Sequence, residues 1–141
     1  MTAKSFVDTN VLIYAASKAA PDQAKRQIAR ELLRQTDIGF SAQVLQEFYS
    51  VAITKQQLQM THDEAVTVLQ SLAAFPVWQI SRELVLEAND AKQRFAISYW
   101  DAAILTAARQ MKCERLYTED LNAGQTYDGV TVINPFAAAT A

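Results

Sequence analysis

Lys4-Ser5-Phe6-Val7-Asp8-Thr9-Asn10-Val11-Leu12-Ile13 is the stretch whose reading decides the fold. Lys4–Val7 reads as a short buried strand carrying the apolar pair Phe6-Val7. Asp8 stands at its C-terminal tip, and a helix begins after it. In open parallel sheets the crevice outside the carboxyl ends of the strands is where ligands bind. A carboxylate planted there loses its hydration and needs a partner.

Further along, strands and helices keep alternating. Asp22 is a plausible N-cap for a helix through Gln35, with Ile28, Leu32 and Leu33 on its apolar side. Ile38–Ser41 reads as a second strand. Gln43–Ile53 is helical, with Val44, Leu45, Phe48, Val51 and Ala52 at helical spacing. Thr61-His62-Asp63-Glu64 has the form of a capping box and opens another helix. Val77–Ile80 is a third strand, followed by a helix from Ser81 through Phe95. Trp100–Met111 is helical, and Leu116–Thr118 and Val130–Ile133 are the remaining strands. This alternation predicts an α/β fold: a mostly parallel central sheet of about five strands with helices on both faces.

Composition narrows the class. The 141 residues suit a single domain over 1–141, with about 136–141 expected to be a frayed tail. Half of the residues are hydrophobic and a fifth charged, which fits a globular core. No apolar window approaches a membrane span, and the N-terminus runs straight into a strand without a signal-peptide pattern. Cys113 is the only cysteine, which excludes an internal disulfide framework and predicts a reducing, cytoplasmic location. The net charge of −2 is unlike that of proteins that grip nucleic acid through a broadly basic surface. Any nucleic-acid role must rest on a local patch or on bound cations.

The acids explain where such cations would sit. Asp8 closes the first strand, and Glu47 lies in the helix after the second. Asp101 opens an apolar helix, and Asp120 follows the fourth strand in Tyr117-Thr118-Glu119-Asp120. In a parallel sheet these places gather at one edge. Clustered carboxylates repel, and some must take up protons unless a cation joins them. Mg²⁺ and Mn²⁺ favour oxygen ligands and complete their shells with water and phosphate.

Taken together, Asp8-Thr9-Asn10, Glu47 in a helix, Asp101-Ala102-Ala103 opening a helix and Thr118-x-Asp120 after a strand resemble the PIN-domain pattern. More narrowly, the chain resembles the VapC-type toxins of bacterial toxin–antitoxin pairs. The resemblance covers nearly the whole chain. It implies a three-layer α/β/α fold and a Mg²⁺- or Mn²⁺-dependent endoribonuclease acting on RNA phosphodiesters. It makes Asp8, Glu47, Asp101 and Asp120 the catalytic, metal-holding acids, with Asn10 and Thr118 in support. It also implies a homodimer silenced by a small antitoxin protein whose tail occupies the groove. Glu119 stands beside Asp120, so two acids compete for one position, and the family spacing favours Asp120.

Blander roles exist for each residue. Asp8 and Asp101 are both good N-cap types, Glu47 is an ordinary helix residue, and Asp120 suits a turn. Asn10 reads as a capping amide near Asp8, Thr118 as a supporting hydroxyl, and Thr9 has no defined role. Trp100 and Tyr99 fit core or dimer contacts better than base stacking. His62 should be exposed and Cys113 buried. Lys18, Lys25, Arg26, Arg30 and Arg34 read as a solvated helix face rather than a phosphate-contacting patch. Two other functions compete: a non-catalytic PIN-like interaction scaffold, and a phosphatase with an aspartyl nucleophile. The phosphatase pattern wants a second Asp two residues after the first, where Asn10 stands. A nucleotide-binding Rossmann domain lacks its glycine-rich turn here.

Overall fold

The first strand, β1 (Ser5–Val7), is buried at every position and lies inside the sheet. The computed structural model describes residues 2–139. After β1 come α1 (Thr9–Ala16), a 3₁₀ turn at Ala20–Asp22, α2 (Gln23–Leu32), β2 (Ile38–Ser41), α3 (Ala42–Thr54) and α4 (His62–Ser71). The second half adds β3 (Val77–Trp78), α5 (Arg82–Phe95), α6 (Tyr99–Gln110), β4 (Arg115–Tyr117), β5 (Thr126–Tyr127) and β6 (Val130–Ile133). The sheet order is β3-β2-β1-β4-β6-β5, and every pairing is parallel except β5 with β6. The expected three-layer α/β/α architecture is the one observed.

The chain runs from β1 outward through β2 to β3, then returns to place β4 on the other side of β1. That reversal between β1 and β4 is the topological switch point, where a crevice opens beyond the carboxyl ends of the strands. Ser5, Phe6 and Val7 pair with Arg115, Leu116 and Tyr117. The backbone N–H of Asp8 continues the ladder to the Tyr117 carbonyl at 3.0 Å. Phe6, Val7, Val11, Phe40, Val44, Phe48, Leu116 and Val132 are fully buried around this pair. Each such side chain contributes roughly 1.5–3 kcal/mol of hydrophobic stabilisation, so the ends of β1 and β4 are set by the best-packed part of the molecule.

Most element starts follow the sequence. Ser41 and Ser81 cap α3 and α5 through their hydroxyls, and the Thr61–Glu64 capping box forms in full. Some expectations need correction. Asp22 precedes α2 but caps nothing with its side chain; its carboxylate accepts from the Ser17 hydroxyl at 2.6 Å instead. The helix it was expected to open ends at Leu32, short of Gln35. Asp101 is not the cap of α6: Ser98 is, accepting from the Asp101 backbone N–H at 3.1 Å.

The sheet has six strands because Thr126–Tyr127 pairs with β6 as a hairpin. Its two-residue turn is Asp128-Gly129, with φ of 48° and 86°. Two positive φ values make this the primed turn that suits right-twisted strands, and Asp-Gly is its favoured sequence. Asp128 is gripped bidentately by Arg94 at 3.0 and 2.7 Å, which ties the hairpin to α5. The chain stays packed at residue 136, where a tail was expected to begin. Phe136 is fully buried, 4.8 Å from the Tyr14 ring in an edge contact, and Ala137–Ala139 form a 3₁₀ turn. Residues 140–141 lie outside the described part of the chain.

Candidate active site

Asp8 is both the tip of β1 and the N-cap of α1. Its Oδ1 accepts from the Thr9 backbone N–H at 2.7 Å, and its Oδ2 from the Thr118 hydroxyl at 2.8 Å. The residue is only 5% exposed, and among the described residues no cation pairs with it. Burial, followed by the charges of Asp120 and Glu47, pushes its carboxyl up from 3.8 to about 7, although the two hydrogen bonds pull the other way. A carboxylate at a helix N-terminus is normally favoured; here desolvation outweighs that.

Thr118 is the hub. Its single hydroxyl donates to Asp8 and accepts from Asn10 Nδ2 at 3.2 Å and from the Asp120 N–H at 3.1 Å. All its hydrogen-bonding capacity is used. Asn10 Nδ2 also reaches Asp120 Oδ2 at 3.3 Å. Since both of its neighbours there accept, the amide nitrogen must face them, and Oδ1 is left buried without a partner. An orphaned buried acceptor costs about 1–3 kcal/mol unless a donor or cation reaches it. Asn10 therefore links Thr118 to Asp120 rather than capping a helix beside Asp8.

Glu47 is pinned from both sides. Thr9 Oγ1 donates to its Oε2 at 2.9 Å, and Gln43 Nε2 donates to its Oε1 at 2.7 Å. Gln43, one turn earlier on α3, is itself buried and also donates to the Trp100 carbonyl at 3.3 Å. The start of α3 is thus fastened to the start of α6, where Asp101 stands. Thr9, which the sequence left without a role, and Gln43, which it did not single out, are the residues that aim Glu47.

Asp120 and Glu119 part company. Asp120 is a solvent-facing residue, yet packing around its carboxyl and then the charge of Asp101 raise its pKa, with Glu119 and Glu47 adding to the effect. Glu119 turns to Tyr14 and Lys25 instead. Asp8 and Asp120 each feel Glu47, and Asp120 feels Asp101. All four predicted acids are in this way electrically coupled. Among the described residues, however, no group of three or more His, Cys, Asp or Glu side chains is ready-arranged to hold a metal ion. The acids are held by protein hydrogen bonds and are linked by charge.

Two of the basic residues read as a solvated helix face have specific partners. Arg26 donates to the carbonyls of Ser17 and Ala19, at 2.8 and 3.5 Å, and Arg30 to that of Ala15 at 2.9 Å. These arginines satisfy the end of α1, where cations are favoured. His62 is exposed and meets the Tyr49 hydroxyl at 2.9 Å; Cys113 is buried, its thiol pushed up to about 12. Trp100 is 65% exposed, which removes the core role from the core or dimer contacts expected of it. A cavity of about 630 Å³ between α5, α6 and the β5–β6 hairpin contains none of the four acids. Its arginines are already paired, Arg94 with Asp90 and Asp128, and Arg109 with Glu87.

The PIN domain family matches residues 5–128. The chain belongs to the PIN-domain family. Solved structures share this PIN fold. A toxin–antitoxin complex from Klebsiella pneumoniae superposes with a TM-score of 0.67 at 22% identity, over 93% of this chain and 97% of that one. VapC20 of Mycobacterium tuberculosis, a sarcin–ricin-loop-cleaving toxin, gives 0.66 at 20% identity over 82% and 89%. A DNA-bound VapBC from Salmonella typhimurium gives 0.63 at 15% identity over 93% and 97%. No curated protein matches the sequence. No helix among the described residues is long and apolar enough to cross a membrane.

Proposed function

We propose that this PIN domain is a Mg²⁺- or Mn²⁺-dependent endoribonuclease and the toxin of a toxin–antitoxin pair. The observation that carries the reading is Asp8: a buried carboxylate at the switch point, coupled to Glu47 and Asp120, with no cation among the described residues to offset it. Such a group is costly to keep ionised in the bare protein, and a divalent cation removes that cost. The donor set fits a hard cation. It is all oxygen, it carries excess negative charge, and it adjoins the orphaned Asn10 Oδ1. Asp8, Glu47, Asp101 and Asp120 would hold the cation, directly or through its waters, since Mg²⁺ keeps several. When bound, it would acidify a water and stabilise charge on a phosphodiester.

The remaining residues have definable work. Thr118 orients Asp8 and Asp120 together, Asn10 links Thr118 to Asp120, and Thr9 with Gln43 aims Glu47. The relatives of known structure include toxin–antitoxin complexes and one RNA-cleaving toxin, which supports the toxin reading and an antitoxin partner. Single-stranded RNA loops are the suitable substrate, because their bases are exposed. A homodimer in the cytoplasm completes the proposal.

Incubating the wild type and Asp8→Asn with structured RNA in Mg²⁺, Mn²⁺ or EDTA tests it. Cleavage by the wild type with either metal, absent in EDTA and in the variant, is expected. A wild type inert with both metals overturns the nuclease reading in favour of an interaction scaffold. A small reading frame for a DNA-binding protein immediately before this gene would supply the antitoxin.

A further inference from the structure

Glu119 and Asp120 are neighbours whose side chains go to different places. Glu119 Oε1 accepts from the Tyr14 hydroxyl at 2.8 Å, and its Oε2 lies 3.5 Å from Lys25 Nζ. Lys25 Nζ in turn donates to the Tyr14 oxygen at 3.1 Å and sits 4.6 Å from the Tyr14 ring centroid. That ring packs edge-on against the buried Phe136. Four segments meet here: α1, α2, the loop after β4 and the chain beyond β6. The Lys25 and Glu119 side chains are 20% and 27% exposed, so the pair is partly shielded from water, where ion pairs gain strength over surface ones.

Asp120 is held far more lightly. Its carboxylate has the 3.3 Å contact from Asn10, and its N–H the 3.1 Å contact to Thr118. Residues 118–121 belong to no helix or strand that could fix them. The backbone bends at Glu119 and Asp120, and the two side chains leave the bend for different partners, Glu119 for Tyr14 and Lys25 and Asp120 for Asn10. Anchoring Glu119 against α1 and α2 therefore fixes the bend that carries Asp120 at the cleft.

We propose that Lys25 and Tyr14 are positioning residues that clamp Glu119 and thereby aim Asp120 into the acid cleft. The catalytic consequence rests on the nuclease reading, whereas the clamp is a property of the metal-free fold. Amide hydrogen exchange at Asp120, measured by NMR in EDTA, reads it directly in Lys25→Met, Tyr14→Phe and Lys25→Arg. Lys25→Met and Tyr14→Phe should speed Asp120 exchange about tenfold with protection in β1 and α6 unchanged. Lys25→Arg should restore the wild-type rate, and Lys25→Met should add nothing in a Glu119→Gln background. Tyr14→Phe removes one oxygen only, so it decides the matter if Lys25→Met does not fold. Asp120 exchange unchanged in Tyr14→Phe, or additive effects of Lys25→Met and Glu119→Gln, overturns the clamp. Calorimetric Mn²⁺ binding then separates the two ideas: a wild type without Mn²⁺ affinity or RNA cleavage sinks the nuclease reading, while the exchange data still judge the clamp.

Discussion

The Thr118 hydroxyl donates to Asp8 Oδ2 at 2.8 Å, joining residues 110 apart in sequence across the β1–β4 pair. The same oxygen accepts from Asn10 and from the Asp120 N–H. One hydroxyl therefore holds two side chains and the backbone of a third residue. Thr118→Val keeps the shape and removes every one of these bonds. It leaves Asp8 Oδ2 and one N–H of Asn10 without that partner, so a loss of about 2–4 kcal/mol is expected from the two unsatisfied atoms. Urea unfolding with an unchanged slope measures it; a loss under about 0.5 kcal/mol would show that water replaces the hydroxyl at little cost.

Asp8 makes the metal-free fold pH-dependent. Its folded pKa, about 7, exceeds its ordinary value of 3.8. Between those two values the folded state holds a proton that the unfolded state has lost, so stability falls as pH rises through this window. The full effect is about 4 kcal/mol at 1.36 kcal/mol per pH unit. In EDTA the melting temperature of the wild type should drop from pH 5 to pH 8, and Asp8→Asn should flatten that slope. Adding Mg²⁺ should restore stability at pH 8 in the wild type more than in the variant. Equal pH slopes in the two proteins would remove Asp8 as the source.

Thr9 and Gln43 hold Glu47 without touching Asp8 through their side chains. Thr9→Val preserves volume and β-branching but frees one oxygen of Glu47. Turnover should fall about tenfold, equivalent to about 1.4 kcal/mol of barrier. RNA affinity and melting temperature should stay near wild type, because Glu47 remains part-exposed and Gln43 still holds it. A defect confined to KM would contradict the aiming role.

What the sequence shows and what it hides divide along chain separation. The strand–Asp8–helix junction, the Thr61 capping box and the Ser81 cap are local patterns, with cause and effect a few residues apart. The Asp128-Gly129 turn was equally local and marked the β5–β6 hairpin that the strand count omitted. Likewise Ser98 stands three residues before Asp101, and that spacing suits it as the cap of α6. By contrast, the Thr9–Glu47 and Tyr14–Glu119 bonds span 38 and 105 residues. No periodicity encodes them, because tertiary packing alone brings those side chains together. Acid types at strand ends were legible, as were Asn10 and Thr118 in support; the Thr9 hydroxyl and Gln43 amide that aim Glu47 were not.

Arg26 and Arg30 separate a structural role from a phosphate-binding one. Both donate to carbonyls at the end of α1. Changing each to Ala should cost about 1 kcal/mol, the usual worth of such a bond. The slope of RNA affinity against salt should not move, since neither charge is committed to phosphate. A slope lowered by nearly one per arginine would restore the phosphate-patch reading.

Trp100 is 65% exposed beside Asp101, and its carbonyl is tied to Gln43, which also holds Glu47. An indole this exposed gains little from the core, so removing it should leave stability within about 0.5 kcal/mol. If RNA enters the acid cleft, a base passing α6 meets this ring, and base–aromatic stacking contributes about 1–3 kcal/mol. Trp100→Ala should then raise KM by roughly 5- to 150-fold at unchanged kcat, since stacking binds ground and transition states alike. Trp100→Phe should recover part of the loss. Unaltered KM together with a shift from dimer to monomer in sedimentation would assign the ring to contact between two copies of the chain.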